Sequence, residues 1–240
     1  MPSLQLNMTF THWINLLVLP MADVHVGKWL NQYETNHGYD MDEACKRVRE
    51  STNAFIDKAK MFGVTDFVLV VGNDMLHVDT ARRTSTAGTP QDTHGNIQDM
   101  FRAAKKLLIA VIEQLAQEGD VHLQHVPSNH DWLMGFGLAD AVGSWFHNHP
   151  NVHCNDHTLS ELHRKYVVFG KNLIMFTHGD GAKEKDLHWH LATEAAEVWS
   201  KTTFRYVYAG HIHHKVKKVK GKVDVQTEKD HIGFTEIKPA

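Results

Sequence analysis

The apolar residues of this chain fall into short runs, and one run after another stops at the same kinds of polar side chain. "INLLVLPMA" leads to Asp23 and His25, "FVLVV" to Gly72, Asn73 and Asp74 with His77 following, and "VHLQHV" to Asn129, His130 and Asp131. The run Asn172–Thr177 stops at His178, and Arg205–Ala209 is followed by His211, His213 and His214. Runs of this length suit strands covered on both faces, which need apolar residues at successive positions rather than alternate ones.

Longer segments with helical periodicity lie between the runs. Asp40 is placed to cap a helix that stops at Gly63. After a polar loop from Thr80 to Gly95, the segment Asn96–Gly119 repeats apolar residues at Met100, Ala104, Leu107, Leu108, Val111 and Leu115. Asp131–Asn148 and Glu184–Lys201 are expected helices, and Tyr166–Phe169 with Asn172–Thr177 an expected hairpin around Gly170 and Lys171. The valines around Gly221 predict a second hairpin, edged with lysines. Alternating strands and helices predict an α/β layered fold with a mostly parallel core sheet.

Composition narrows the class. With 42% hydrophobic and 22% charged residues the chain is globular rather than disordered. Its length fits one domain over 1–240, with 215–240 as a lysine-rich hairpin or tail. A net charge of −3 gives no global pull toward nucleic acid. Cys45 and Cys154 have no spacing partner, which fits a reducing, cytoplasmic setting. No lysine or arginine precedes the first apolar run, against a secretory leader. No segment is long and apolar enough to predict a membrane span. Histidine is the outlier, at 20 residues, and it is the commonest metal ligand.

In an open α/β sheet the loops at the carboxyl ends of parallel strands converge on one crevice. The five strand-end sets, scattered through the sequence, are therefore expected to meet. Mixed carboxylate, amide and imidazole donors suit first-row divalent ions, whereas calcium and magnesium favour oxygen and structural zinc favours thiolate. Two such ions about 4 Å apart could hold a hydroxide at neutral pH and neutralise charge on a phosphoryl oxygen. Each piece has a plainer reading: Asp-x-His is common, "SNHD" could cap a helix, and "GHIHH" could be a solvent-exposed cluster. The ordered conjunction of all five is what carries weight.

That order (Asp-x-His, Gly-Asn-Asp, Asn-His-Asp, His, Gly-His-x-His) resembles the calcineurin-like metallophosphoesterase superfamily, from about Ile14 to His214. The resemblance implies a four-layered α/β/β/α sandwich around two divalent metal ions, Mn²⁺ first, with Fe²⁺, Zn²⁺, Ni²⁺ or Co²⁺ as alternatives. It implies that Asp23, His25 and His213 bind one ion and Asn129, His178 and His211 the other. A bridging aspartate is expected directly after the glycine, where Asn73 intervenes. An amide would bring no charge between two dications, so Asp74 is the expected bridge and Asn73 a supporting residue. His130 is the expected general acid, with Asp131 orienting it or capping the helix. Asp74-Met-Leu-His77 is similar to the aspartate-x-x-histidine of SbcD-class DNA repair exonucleases, where the histidine sits near the scissile phosphate.

The resemblance thus implies a phosphodiesterase of nuclease type acting on a nucleic acid or nucleotide phosphodiester. A bridging hydroxide would attack phosphorus in line. A phosphomonoesterase or cyclic-nucleotide phosphodiesterase on the same metals is the alternative, and a non-catalytic scaffold a third. Arg82 and Arg83 are candidate phosphate contacts. Lys215, Lys217, Lys218, Lys220 and Lys222 could track a nucleic-acid backbone or protect a sheet edge. Trp132, Phe136 and Trp189 could stack bases, although helical spacing assigns them to the core. The short stretch beyond His214 leaves little room for a capping domain, an expectation that favours single strands, short oligonucleotides or small phosphodiesters.

Overall fold

A computed structural model describes residues 15–35, 38–211, 216–220, 223–227 and 235–237, the last three ranges as backbone. The strands are β1 (Asn15–Leu19), β2 (Val64–Gly72), β3 (Asp120–Val126), β4 (Val152–His153), β5 (Arg164–Phe169), β6 (Asn172–Thr177), β7 (Phe204–Ala209), β8 (Val216–Lys220), β9 (Val223–Thr227) and β10 (Thr235–Ile237). They form two five-stranded sheets, ordered β10-β1-β2-β3-β4 and β5-β6-β7-β9-β8. In the first sheet β1 to β4 run parallel and β10 joins antiparallel at the β1 edge. The second is mixed: the β5–β6 and β8–β9 pairs are antiparallel, while β6, β7 and β9 run parallel.

The continuous apolar runs are explained by what covers each face. Following a short helix α1 (Gln32–Thr35), helices α2 (Met41–Met61), α3 (Ile97–Ala116) and α4 (Trp132–Trp145) pack against Leu17 and Leu19 of β1, Phe67, Leu69 and Val71 of β2, and Val121 and Leu123 of β3. The alternate residues Leu16, Val18, Val68, Val70 and Val126 meet Val167, Phe169, Ile174, Phe176 and Tyr208 of the second sheet. On the far face of that sheet, Leu173, Met175 and Val207 pack against α5 (Leu187–Glu194) and α6 (Ala196–Trp199). Burying both faces of β1 and β2 leaves their residues from Leu16 to Leu19 and from Phe67 to Val71 without solvent exposure.

Helix starts follow the expected chemistry. Asp40 accepts from the Glu43 N–H at 2.8 Å to open α2, and Asn96 accepts from the Asp99 N–H at 2.9 Å to open α3, each worth about 1 kcal/mol. Gly63, just past α2, takes the left-handed conformation (φ 61°) that glycine adopts most readily. Both expected hairpins are present as backbone pairs.

Two expectations are corrected. Glu184–Lys201 is not one helix: a 3-10 turn (Glu184–Asp186) precedes α5, and Ala195 leaves helical geometry (φ −105°, ψ 29°) before α6. Leu187, Leu191, Ala195 and Val198 nevertheless stay buried against the sheet. Phe136 and Trp189 are not core residues. The stripe α4 buries is Gly135, Leu138, Ala139 and Val142, which leaves Phe136 38% exposed, and Trp189 is 64% exposed on α5. No described helix is long and apolar enough to cross a membrane.

Candidate active site

The loops after β1, β2 and β3 are stitched together before any side chain is considered. Asp23 N–H donates to Asn73 O (2.9 Å), His25 N–H to Asp74 O (2.8 Å), Val26 N–H to Met75 O (2.8 Å), and Asn73 N–H to Val126 O (2.7 Å). These bonds extend the parallel pairing past the strand ends, so the two loops run side by side. The chain must turn sharply to do so. Gly72, Asn73 and Asp74 are all left-handed (φ 85°, 60° and 61°), as are Asp23 (55°), His25 (49°) and His211 (69°). Asp, Asn and His are the non-glycine residues that tolerate this conformation best, and it is uncommon enough that such clustering points to function.

Side chains lock the third loop to the second. Asp74 N–H donates to Ser128 Oγ (2.7 Å), and His130 N–H to Asp74 Oδ1 (3.0 Å). Asp131 accepts from the Leu76 N–H (2.7 Å) and from the Ser128 hydroxyl. Asp131 therefore neither orients the His130 ring nor caps α4, as had been expected. Asp79 does the capping: its Oδ1 accepts from Leu133 N–H (3.0 Å) and Met134 N–H (2.8 Å). Asp79 Oδ2 also accepts from the Thr86 hydroxyl (2.9 Å), and Thr86 N–H donates to Asn129 O (3.1 Å). The Thr80–Gly95 loop is thereby fastened beside the Asn129–His130 turn.

The second sheet supplies the opposite wall. His178 follows β6 and His211 follows β7. His211 N–H donates to both Asp23 oxygens at 3.2 Å, and its Nδ1 lies 3.0 Å from Asn129 Oδ1. A Cβ at Gly210 would sit 3.0 Å from Asp23 Oδ2 and 3.3 Å from Asn73 Oδ1, so glycine permits this approach.

His178 is the junction. Its Nδ1 is 2.8 Å from Asn73 Oδ1, while its Nε2 is 2.9 Å from Asn129 Oδ1 and 3.3 Å from Asp74 Oδ2. A neutral imidazole has one N–H and can serve only one of these edges. If Nδ1 donates to Asn73, Nε2 turns a lone pair toward an amide oxygen and a carboxylate. Three acceptors aimed at one another call for a positive charge among them, supplied by a proton on His178 or by a divalent ion. Asp23, His25 and Asp74 also bring ligand atoms within 4.8 Å of one another. The donor set therefore fits divalent cations.

Electrostatics agree with the contacts. Burial would raise the Asp74 carboxyl, but the His178 hydrogen bond and the charges of His178, His25 and His130 hold it well below the usual carboxylate range. Burial opposes a proton on His178, yet Asp74 raises its pKa above the ordinary value. Burial drives His25 well below its usual value and His77 to about 4.

His77 is 5% exposed. Its Nδ1 is 3.4 Å from His25 Nδ1, and its ring stacks on His130 with centroids 5.3 Å apart. His130 is half-buried, with Nδ1 3.0 Å from His77 O. The three imidazoles of His25, His77 and His130 also form a group able to hold a metal ion. Arg82 and Arg83 are exposed, and among the described residues no hydrogen bond or ion pair ties either guanidinium to the cluster. Trp132 is half-buried against His163, with ring centroids 4.7 Å apart. His213, Lys215 and Lys222 lie outside the described residues, as do the side chains of Lys217, Lys218 and Lys220.

Sequence reasoning passed over Ser128, Asp79, Thr86 and Gly210. Ser128 stood in view within "PSNHD", and Asp79 closes the same stretch that holds Asp74, but only the fold shows what they touch.

No family model matches the chain, and no curated protein matches it. Among solved structures it is similar to a conserved uncharacterized protein, a predicted phosphoesterase, from Streptococcus pneumoniae TIGR4. That likeness is at 12% identity and a TM-score of 0.38, covering 91% of this chain and 74% of that one. It is also similar to Yfce, a phosphoesterase from E. coli, at 11% identity and a TM-score of 0.37, covering 89% of this chain and 78% of that one.

Proposed function

We propose that the chain is a metal-dependent phosphoester hydrolase of the metallophosphoesterase type, acting on phosphodiesters of nucleic acids or nucleotides. The carrying observation is the convergence of Asp74, Asn129 and His178 on one point, where Asn129 Oδ1 and Asp74 Oδ2 lie 2.9 and 3.3 Å from His178 Nε2. Under this reading the packing clusters are the layers of an α/β/β/α sandwich within one domain. The order of motifs in the sequence supports the same reading.

Asp23, His25 and His213 would hold one cation, Asn129, His178 and His211 the other, and Asp74 would serve both. When bound, two divalent ions (Mn²⁺ first) supply an activated water and neutralise the charge that builds on phosphoryl oxygens. The chain's own residues do the rest. Asn73 Oδ1 would accept a hydrogen bond from His178 Nδ1–H and leave Nε2 as the ligand atom, the usual second partner of a metal-binding imidazole. His130 Nδ1–H would donate a hydrogen bond to the His77 carbonyl, and its backbone N–H donates to Asp74. With a second proton on Nε2 the ring would be an imidazolium, and that edge would protonate a departing oxygen. Arg82 and Arg83, exposed on a loop anchored at Asn129, are available to substrate phosphates.

The test begins with chelation, followed by Mn²⁺ titration and a comparison of bis-p-nitrophenyl phosphate with p-nitrophenyl phosphate. Diester turnover that depends on Mn²⁺ and is lost in Asp74→Asn is expected. Cleavage of the monoester alone would move the assignment to a phosphomonoesterase. Absence of both metal uptake and turnover would leave a non-catalytic scaffold.

A further inference from the structure

We infer that His77 is a positioning residue that fixes the tautomer of His25, not a group that touches substrate. This rests on the proposed cation site and concerns how one of its ligands is held. The rings of His25 and His77 meet nearly at right angles (87°), Nδ1 against Nδ1 at 3.4 Å. When two ring nitrogens face each other in this way, one must carry a hydrogen and the other must not. The proposed cation site decides which. The nitrogen that His25 turns toward Asp74 is Nε2, and a ligand must present a lone pair there, so the His25 hydrogen belongs on Nδ1, against His77.

His77 Nδ1 is then the acceptor and His25 Nδ1 the donor. The remaining nitrogen of His25, Nε2, is left with a lone pair, and it lies 3.8 Å from Asp74 Oδ2. The relay runs from His77 Nδ1 to His25 Nδ1 and ends on a lone pair on the Asp74 side of the ring. The opposite tautomer of His25 would put an N–H there and could not ligate. Access points the same way. His77 is covered on its edge by His25 and on its face by His130, and its backbone is held at both ends: N–H to Val26 O (3.2 Å) and O to His130 Nδ1 (3.0 Å). The His77 ring is buried, whereas His130 is half-buried and offers substrate the more exposed ring.

The experiment compares wild type, His77→Ala and His77→Asn by Mn²⁺ titration calorimetry and by steady-state hydrolysis of bis-p-nitrophenyl phosphate, with circular dichroism as the folding check. Asparagine places an acceptor oxygen near the position of Nδ1. His77→Ala is expected to weaken Mn²⁺ binding about 10- to 100-fold, with stoichiometry and KM at saturating Mn²⁺ unchanged. His77→Asn is expected to restore most of the affinity. Unchanged Mn²⁺ affinity with a raised KM would overturn the inference and place His77 on the substrate. Loss of a full equivalent of Mn²⁺ would overturn it differently, making His77 a ligand of the trihistidine group. If His77→Ala misfolds, His77→Asn decides alone: weak Mn²⁺ binding in a folded His77→Asn protein overturns the relay. A wild type that takes up no Mn²⁺ removes the proposed function and the relay together.

Discussion

At the residue scale, the side chains that position ligands are as informative as the ligands. Asn73 breaks the expected glycine-aspartate pair, yet the fold gives it a task that an aspartate one position later leaves open: it receives His178 Nδ1. Asn73→Ala is expected to lower Mn²⁺ affinity roughly 10- to 100-fold and to cost about 1 kcal/mol more for a non-asparagine at positive φ. Asn73→Asp, which keeps the acceptor, is expected to retain affinity, as calorimetry would show. A second residue sets acid stability. His125 is fully buried on β3, and burial lowers it from 6.5 to about 4. Its folded pKa lies below its unfolded one, so the unfolded chain binds more protons between those values. Stability is therefore unaffected above pH 6.5 and falls as pH drops toward 4, by about 3 kcal/mol in total. Urea melts in chelator at pH 7.5 and pH 5 should show the slope, and His125→Gln should reduce it, the remainder coming from buried His25 and His77.

At the element scale, α4 does more than pack. The turn that opens it carries Asn129 and His130, and its first free N–H groups are satisfied from another loop by Asp79. Asp79→Ala is expected to destabilise the fold by about 1–2 kcal/mol in urea unfolding. It should also lower kcat more than stability alone explains, because the same carboxylate holds Thr86 against the Asn129 turn. A drop in stability with kcat unchanged would show that the turn is held without this cap.

At the scale of the whole molecule, the site is a seam. Asp23, His25, Asp74 and Asn129 come from the first sheet, and His178 and His211 from the second. The sheets are joined behind them by Phe169, Phe176 and Tyr208 packed on Val68, Val70 and Val126. Ions held across the seam would bind only the folded state, so Mn²⁺ at 100 times its Kd is expected to add about 2.7 kcal/mol. Thermal melts with and without chelator measure this. Phe176→Ala, in the packing between the sheets two residues before His178, is expected to cost about 3–5 kcal/mol and to weaken Mn²⁺ binding by letting the sheets shift.

The sequence alone determined the long core strands and helices α2 and α3, though not α1, β4 or β10, because burial on both faces demands unbroken apolar runs and because Asp40 and Asn96 cap by local hydrogen bonds. It also placed Asp, Asn and His at five strand ends. Those are short-range facts, written in neighbouring residues. The break at Ala195, the exposure of Phe136 and the contacts of Asn73, Ser128, Asp79 and His77 were settled only by tertiary structure. Each depends on which atom from a distant loop arrives within hydrogen-bonding reach, or on which stripe of a helix meets the sheet. His25 and His77 are 52 residues apart in the chain, and nothing local to either could say that the two rings would meet.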